Sequence, residues 1–205
     1  MKKEDIIYRM QNKMLYFESD AFLEGKVKKL ETLKDFNNTR PSEDGRRFQL
    51  LYELFKRLGE NCVIEPPLHA NWGGANVSIG DNFYANFNLT LVDDAEIKIG
   101  NNVMIGPNVT IATACHPISP ALREKGCQYN LPVTIEDNVW IGAGVSVLPG
   151  VTIHKNSIIG AGSIVTKDVP ENVIAFGNPC KVSRKINERD DKFYNRDMEI
   201  DLPLD

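Results

Sequence analysis

The chain has 205 residues, with 24 Lys and Arg against 28 Asp and Glu, a formal charge of −4, and 42% apolar residues. That length suits one domain with at most a small appendage. The mild acidity argues against a general nucleic-acid binder, and no apolar run approaches the ~18 residues of a membrane span. The opening MKKEDIIYRM has no apolar stretch and no small-residue cleavage site, so no signal peptide is expected and the chain reads as soluble and cytoplasmic.

Charge divides the chain. Residues 1–60 carry 13 basic and 11 acidic side chains, residues 61–170 only 5 and 9, and residues 171–205 carry 6 and 8. The first part has helical spacing. Ile6, Ile7, Met10, Met14 and Phe17 share one face, and Leu23, Val27, Leu30 and Leu33 repeat the rhythm up to Asn37 and Asn38. A third stretch opens near Ser42, puts Phe48, Leu51, Leu54, Phe55 and Leu58 on one face, and stops at Gly59. Short helices with one apolar face need a body to pack on.

From Val77 the period changes to six. Aliphatic residues recur at Ile99, Ile105, Ile111, Ile135, Ile141, Val147, Ile153, Ile159 and Val165. Four positions after most of them stands a small or β-branched residue: Val103, Val109, Val139, Val145, Val151, Ser157, Ser163 or Val169. A block from Ile79 runs out of phase by two near Glu96–Ile99, so either one turn is longer there or a strand is displaced. Six residues are too few for a helical or propeller repeat and fit a parallel β-helix, three sixes to a triangular coil. The aliphatic residue fills the prism and the small one lies at a corner. Gly, Asn and Asp supply left-handed turn geometry. Gly80, Gly100, Gly106, Gly142 and Gly160 are structural on this reading, and neither GAG run is a phosphate loop. The expected layout is a helical segment at 1–60, the β-helix at 61–180 and a polar tail at 181–205 that covers the end of the prism.

Pro117 to Pro132, PISPALREKGCQYNLP, breaks the rhythm and reads as a loop of about 117–132 thrown out between coils, a length usually functional or disordered. His116 stands at its mouth, at a position the repeat assigns to a corner. Imidazole is the side chain best suited to take a proton near neutral pH. Cys62, Cys115, Cys127 and Cys180 form no CxxC pair and read as reduced thiols. His69, His116 and His154 form no local metal motif.

The repeats, the helical start, ANFNLTLVDDAEIKIGNNVMIGPNV, the His116-Pro117 pair, NVWIGAGV and GAGSIVTKDVPENVIAFGNPCKV together resemble the galactoside/maltose O-acetyltransferases, from about Met14 to Asp191. The resemblance implies a left-handed β-helix, a cytoplasmic homotrimer with active sites between neighbouring subunits, and acetyl-CoA as co-substrate with no metal. It makes His116 the base that deprotonates a sugar hydroxyl for direct attack on the thioester, with a backbone N–H of a neighbouring coil at the oxyanion. It carries Glu18, Asn71, Tyr84, Asn86, Asp94 and Gln128 over to the sugar. On the CoA side it carries over Trp140, a wall of the pantetheine tunnel, and Ala143 and Ala161, where the arm meets backbone. Thr166, Lys167, Lys181 and Arg184 match the nucleotide end. Asn71 replaces the galactoside enzymes' Ser, Glu18 their Asp, Lys181 their Arg and Gln128 an apolar residue, with a one-residue insertion in NWGGAN; these departures bear on which sugar is taken. Other readings are acetylation of an antibiotic, an oligosaccharide or serine, a zinc-dependent carbonic-anhydrase-like β-helix, and a non-catalytic β-helix.

Overall fold

The computed structural model describes residues 3–17 and 23–202. Short strands stack into a β-solenoid of about six turns with three faces meeting at three edges. Face 1 holds Val63–Ile64, Tyr84–Ala85, Met104–Ile105, Trp140–Ile141, Ile158–Ile159, Val173–Phe176 and Lys181–Lys185 in that spatial order. Face 2 holds Leu68–Ala70, Leu89–Val92, Thr110–Ala112, Ser146–Val147 and Ile164–Val165. Face 3 holds Val77–Ile79, Ile97–Ile99, Val133–Ile135 and Thr152–Ile153. Paired neighbours run parallel except the Lys181–Lys185 strand, which is antiparallel.

The register is that of the sixes. Ile79, Ile99, Ile135 and Ile153 stack in one column, Ile105, Ile141 and Ile159 in a second, and Leu91, Ile111, Val147 and Val165 in a third. All are buried, and burying such a side chain stabilises by about 1.5–3 kcal/mol. The corner residues Val103, Val109, Val139, Val145 and Val151 are buried too. In the last coils serines replace them: Ser157 Oγ donates to Pro170 O at 2.6 Å, and Ser163 Oγ accepts from Gly177 N at 3.0 Å. The phase shift is a longer turn. Ile97–Ile99 stays in register with both face-3 neighbours, and Leu91 to Ile99 takes two more positions than Val147 to Ile153. The extra residues lie at Asp93–Glu96.

The edge between faces 3 and 1 carries Asn61, Asn82, Asn102, Asn138, Asn156 and Asn172, all with φ between 55° and 62°. Asn tolerates this left-handed geometry, and its amide donates and accepts at once. The side chains therefore bond coil to coil, Asn61 to Asn82 at 3.2 Å and Asn82 to Asn102 at 3.0 Å, then Asn138 to Asn156 at 3.1 Å and Asn156 to Asn172 at 2.8 Å. At the edge between faces 1 and 2, Asn88 bonds Asn108 at 3.0 Å, but the next two coils have Gly144 and Gly162 at that place.

Helix α1 spans Lys3–Gln11, α2 Leu23–Asn37 and α3 Asp44–Leu54. The first apolar run is not one helix to Phe17. Lys13 adopts φ 59°, and Met14 N returns to Arg9 O at 3.1 Å, which closes α1. Tyr16–Phe17 is then a strand beside Cys127–Gln128. Of the expected α2 face, Val27 and Leu30 are exposed, while Leu33 and Phe36 join the solenoid core with Leu51 and Leu54. The chain turns extended at Phe55 because the open edge of face 3 needs partners: Lys56 N donates to Val77 O at 2.9 Å, and Ile79 N to Arg57 O at 2.9 Å. Asn37 does the same for face 2, pairing both backbone groups of Leu68 at 2.8 Å. The tail, beyond its extra strand on face 1, forms a hairpin of Phe193–Asn195 with Met198–Glu199. No helix among the described residues is long and apolar enough to cross a membrane.

Candidate active site

The excursion begins earlier than the sequence rhythm suggests. The chain leaves face 2 after Ala112 and rejoins face 3 at Val133. Between them Ala114–Cys115 pairs antiparallel with Cys127–Asn130, and α4 (Pro120–Glu124) lies at the tip. Ala114 and Cys115 mimic the six-residue pattern but belong to this hairpin, so His116 is not a prism corner. It is exposed on the hairpin, with Nδ1 3.3 Å from Cys127 O. A carbonyl only accepts, so in the neutral imidazole this contact places the proton on Nδ1 and the lone pair on Nε2. Burial pushes the thiols of Cys62, Cys115 and Cys180 up, away from the thiolate form a nucleophile needs.

The enlarged turn at Asp93–Glu96 lies at the root of this excursion. Asp93 is fully buried and accepts from Trp72 N at 2.7 Å and Gly74 N at 3.0 Å. Thr113 Oγ1 donates to Val92 O at 2.8 Å and accepts from Ala95 N at 2.9 Å. Asn130, also fully buried, donates to Asp94 O at 3.0 Å and accepts from Tyr16 Oη at 3.2 Å. These bonds fix the Asp94 side chain. Its Oδ2 accepts from Asn71 Nδ2 at 2.8 Å and its Oδ1 from Trp72 Nε1 at 3.0 Å. The sequence alone does not mark Trp72, Thr113 or Asn130. Their only signal was proximity to VDD and to the loop, and the bonded pairs lie 18 to 114 positions apart.

The expected site residues fall on different parts of the prism. Asn71, Asp94, His116, Gln128, Thr166 and Lys167 lie along the edge between faces 2 and 3 or on its excursion. Asn86, Ala143 and Ala161 lie along the edge between faces 1 and 2. Tyr84 and Trp140 point outward from face 1, in one column with Met104, and Lys181 and Arg184 sit on its added strand. Glu18 lies outside the described residues. The whole of face 2 separates the His116 edge from the Ala143 edge, so one chain does not bring the two groups together.

The Ala143 edge is a ledge. A Cβ at Gly106 or Gly142 would stand 2.8 or 2.6 Å from the amide nitrogen of the next coil, at Ala143 or Ala161, so the coils approach as closely as glycine permits. Beside Gly144 and Gly162, in contrast, a Cβ would meet nothing within 4 Å. The N–H groups of Ala143 and Ala161 donate no hydrogen bond among the described residues. Lys167 and Lys181 form no ion pair among the described residues, whereas Arg184 grips Asp190 through two bonds of 2.7 and 2.6 Å. That pair raises the guanidinium's pKa and holds the Asp190 carboxyl at about 2.

The three histidines are dispersed. His69 is on face 2, His116 on the excursion, and His154 near the opposite edge, bonded to Glu136 at 3.1 Å. No group of three or more His, Cys, Asp or Glu among the described residues is arranged to hold a metal ion. A hollow of about 500 Å³ on face 3, between Arg57 and Lys155, is remote from the imidazole. One of about 480 Å³ beneath α1 is bordered by Trp72 and Asp94.

Residues 132–167 match the bacterial transferase hexapeptide family (six repeats). The galactoside O-acetyltransferase of Lactococcus lactis is 55% identical over 203 residues, 98% of each chain. The fold superposes on a galactoside acetyltransferase in complex with coenzyme A with a TM-score of 0.92 and 45% identity, covering 96% of this chain and 98% of that one. It superposes on a maltose O-acetyltransferase of Clostridium difficile with 0.86 and 41%, covering 89% and 98%. With such identity over nearly its whole length, the chain belongs to the galactoside/maltose O-acetyltransferase family of hexapeptide-repeat acyltransferases.

Proposed function

We propose that the protein is a cytoplasmic homotrimer that moves the acetyl group of acetyl-CoA to a hydroxyl of a galactoside- or maltose-type sugar, with His116 as general base. The observation that carries this reading is the division of the site over two edges. If the His116 edge of one copy faces the Ala143 edge of the next, acceptor and donor groups meet at each interface of a closed ring. Val63, Tyr84, Met104 and Trp140 give face 1 an exposed apolar stripe of a kind that marks interaction surfaces.

His116 Nε2 takes the hydroxyl proton while the sugar oxygen forms its bond to the thioester carbon. As the tetrahedral intermediate collapses, the C–S bond breaks and the imidazolium returns the proton to the departing sulfur. Cys127 O steadies the imidazolium through Nδ1–H. No acetyl-enzyme is needed, in keeping with the raised thiols. Asp94 accepts from sugar hydroxyls, with Asn71, Asn86, Tyr84, Gln128 and Glu18 around the ring. The fit to CoA rests on the ledge: two free N–H groups one coil apart, ~4.8 Å, suit the amide carbonyls of pantetheine. Trp140 forms a wall, and Thr166, Lys167, Lys181 and Arg184 meet the phosphates. Arg184 reaches them only by sharing or leaving Asp190, so the lysines carry more of that contact.

The test is His116→Ala, assayed by free thiol release over galactosides, glucosides, maltose and non-sugar alcohols. Turnover should fall by ~10²–10⁴, with trimer and acetyl-CoA binding kept. Turnover like the wild type's would remove His116 from the chemistry. A wild type that acetylates only non-sugar alcohols would overturn the acceptor class.

A further inference from the structure

The acceptor edge holds a cation that the site described so far does not use. Lys26, on α2, is half-buried, and its Nζ donates to Asn71 Oδ1 at 3.3 Å. The same ammonium lies 5.0 Å from the centroid of the Trp72 ring. Among the described residues, Asn71 and Trp72 are the two side chains that bond the Asp94 carboxylate. Four side chains thus close a circuit, with Lys26 touching both ligands of Asp94 from a helix 68 positions away. We propose that Lys26 is a positioning residue that sets acceptor selectivity, by locking Asn71 and Trp72 onto Asp94. This rests on the sugar-acetylating reading above.

The physical case has three parts. An amide can turn over, and the ammonium decides which way Asn71 faces: Oδ1 toward the cation leaves Nδ2 for the carboxylate. The cation over the indole holds the ring in the orientation that aims Nε1–H at Asp94, an attraction of ~0.5–1 kcal/mol where exposed and more where desolvated. With one side-chain donor on each oxygen, Asp94 presents its remaining lone pairs in fixed directions, so only hydroxyls along those directions are received. A serine at position 71 would leave the lysine no amide oxygen to hold.

The test pairs Lys26→Met, which keeps the apolar stem, with Lys26→Arg, which keeps the charge and the donor. Steady-state kinetics on the best acceptor of the wild type should show an acceptor KM about tenfold higher for Lys26→Met and an unchanged acetyl-CoA KM. The ranking of acceptors should broaden, and Lys26→Arg should restore most of the loss. In an Asn71→Ala background, Lys26→Met should add little. An unchanged acceptor KM, or equal loss on both substrates, overturns the proposal. A second readout does not depend on turnover. The chain has two tryptophans, and Trp140→Phe assigns their indole N–H signals by NMR. Lys26→Met should move the Trp72 Nε1–H resonance and speed its exchange with solvent; an unmoved, equally protected signal overturns the coupling whatever the acceptor is. If the resonance moves while the wild type acetylates no sugar, the positioning stands and the sugar reading fails.

Discussion

Gly144→Asn separates what the repeat requires from what the site requires. Gly144 occupies the left-handed position, φ 67°, that Asn88 and Asn108 occupy in earlier coils at 62° and 59°. Nothing lies within 4 Å of a Cβ built there. An asparagine therefore fits the backbone and can extend the ladder by accepting from Asn108 Nδ2. One such bond contributes about 0.5–1.5 kcal/mol net. Loss of glycine's freedom in the unfolded chain adds about 0.4–1 kcal/mol, partly offset by a left-handed cost that Asn tolerates well. A net gain of about 1 kcal/mol should raise Tm by ~2–4 °C at this chain length. The same side chain would stand in the open space beside the free N–H groups of Ala143 and Ala161. If pantetheine runs along that ledge, acetyl-CoA KM should rise at least about tenfold, ~1.4 kcal/mol, with the acceptor KM little changed. Differential scanning calorimetry and initial rates read the two effects separately. Gly144→Ala is the control, since it keeps the backbone strain and gains no ladder bond, so it should lower Tm. A Gly144→Asn protein that is stabilised and binds acetyl-CoA as well as the wild type would refute the ledge as its path.

Gly142→Ala should act oppositely: its Cβ would lie 2.6 Å from Ala161 N, a backbone atom that cannot yield without parting two coils. Overpacking of this kind costs about 1–3 kcal/mol, and an unshifted denaturation midpoint would show that the coils are not that close. Asp93 gives a pH signature. Burial raises its carboxyl, against the Trp72 N–H that favours the anion. A raised group stabilises the fold below its unfolded pKa, and that contribution is lost as pH rises through the folded value. The stability of the wild type relative to Asp93→Asn should therefore be greatest in acid and decline toward neutrality; denaturation curves across pH 4 to 8, roughly the span usual for such linkage, would contradict this if the slope were reversed.

The prism was legible because its signal is local. Each six carries its own inward aliphatic, and nine of them from Ile99 to Val165 are buried in register. The boundaries failed where a local pattern had two uses. Ala114 and Cys115 satisfy the hexad as well as they satisfy a hairpin, and only pairing with Tyr129 and Asn130 decides between them. Met14 and Phe17 continue a helical rhythm that Lys13 has already ended. Of the two Asp94 ligands, Asn71 was legible through the family resemblance, and Trp72 was not, for a different reason. Trp72 reads as core packing in any sequence, and its bond to Asp94 depends on two turns of the same edge coming into register.

Counting positions around the coil also explains why so thin a structure can hold two substrates. An edge is the only part of a triangular coil where residues leave the ladder and side chains are free to vary, and this chain uses all three differently. One edge is given to an asparagine ladder and binds coil to coil. One is stripped in its later coils, at Gly142–Gly144 and Gly160–Gly162, to alanine and glycine beside bare N–H groups. One is enlarged by two residues and then by the whole excursion, with Asp94 and His116 on it. Since faces 1 and 2 must stay regular to stack, neither can fold over to bring the second and third edges together. On the function proposed above, the His116 edge needs the Ala143 edge of another chain, which a closed ring of copies would supply to each. Dilution should thus abolish transfer before it melts the β-helix. Activity that persists at concentrations where sedimentation finds only single chains would break the argument at its root.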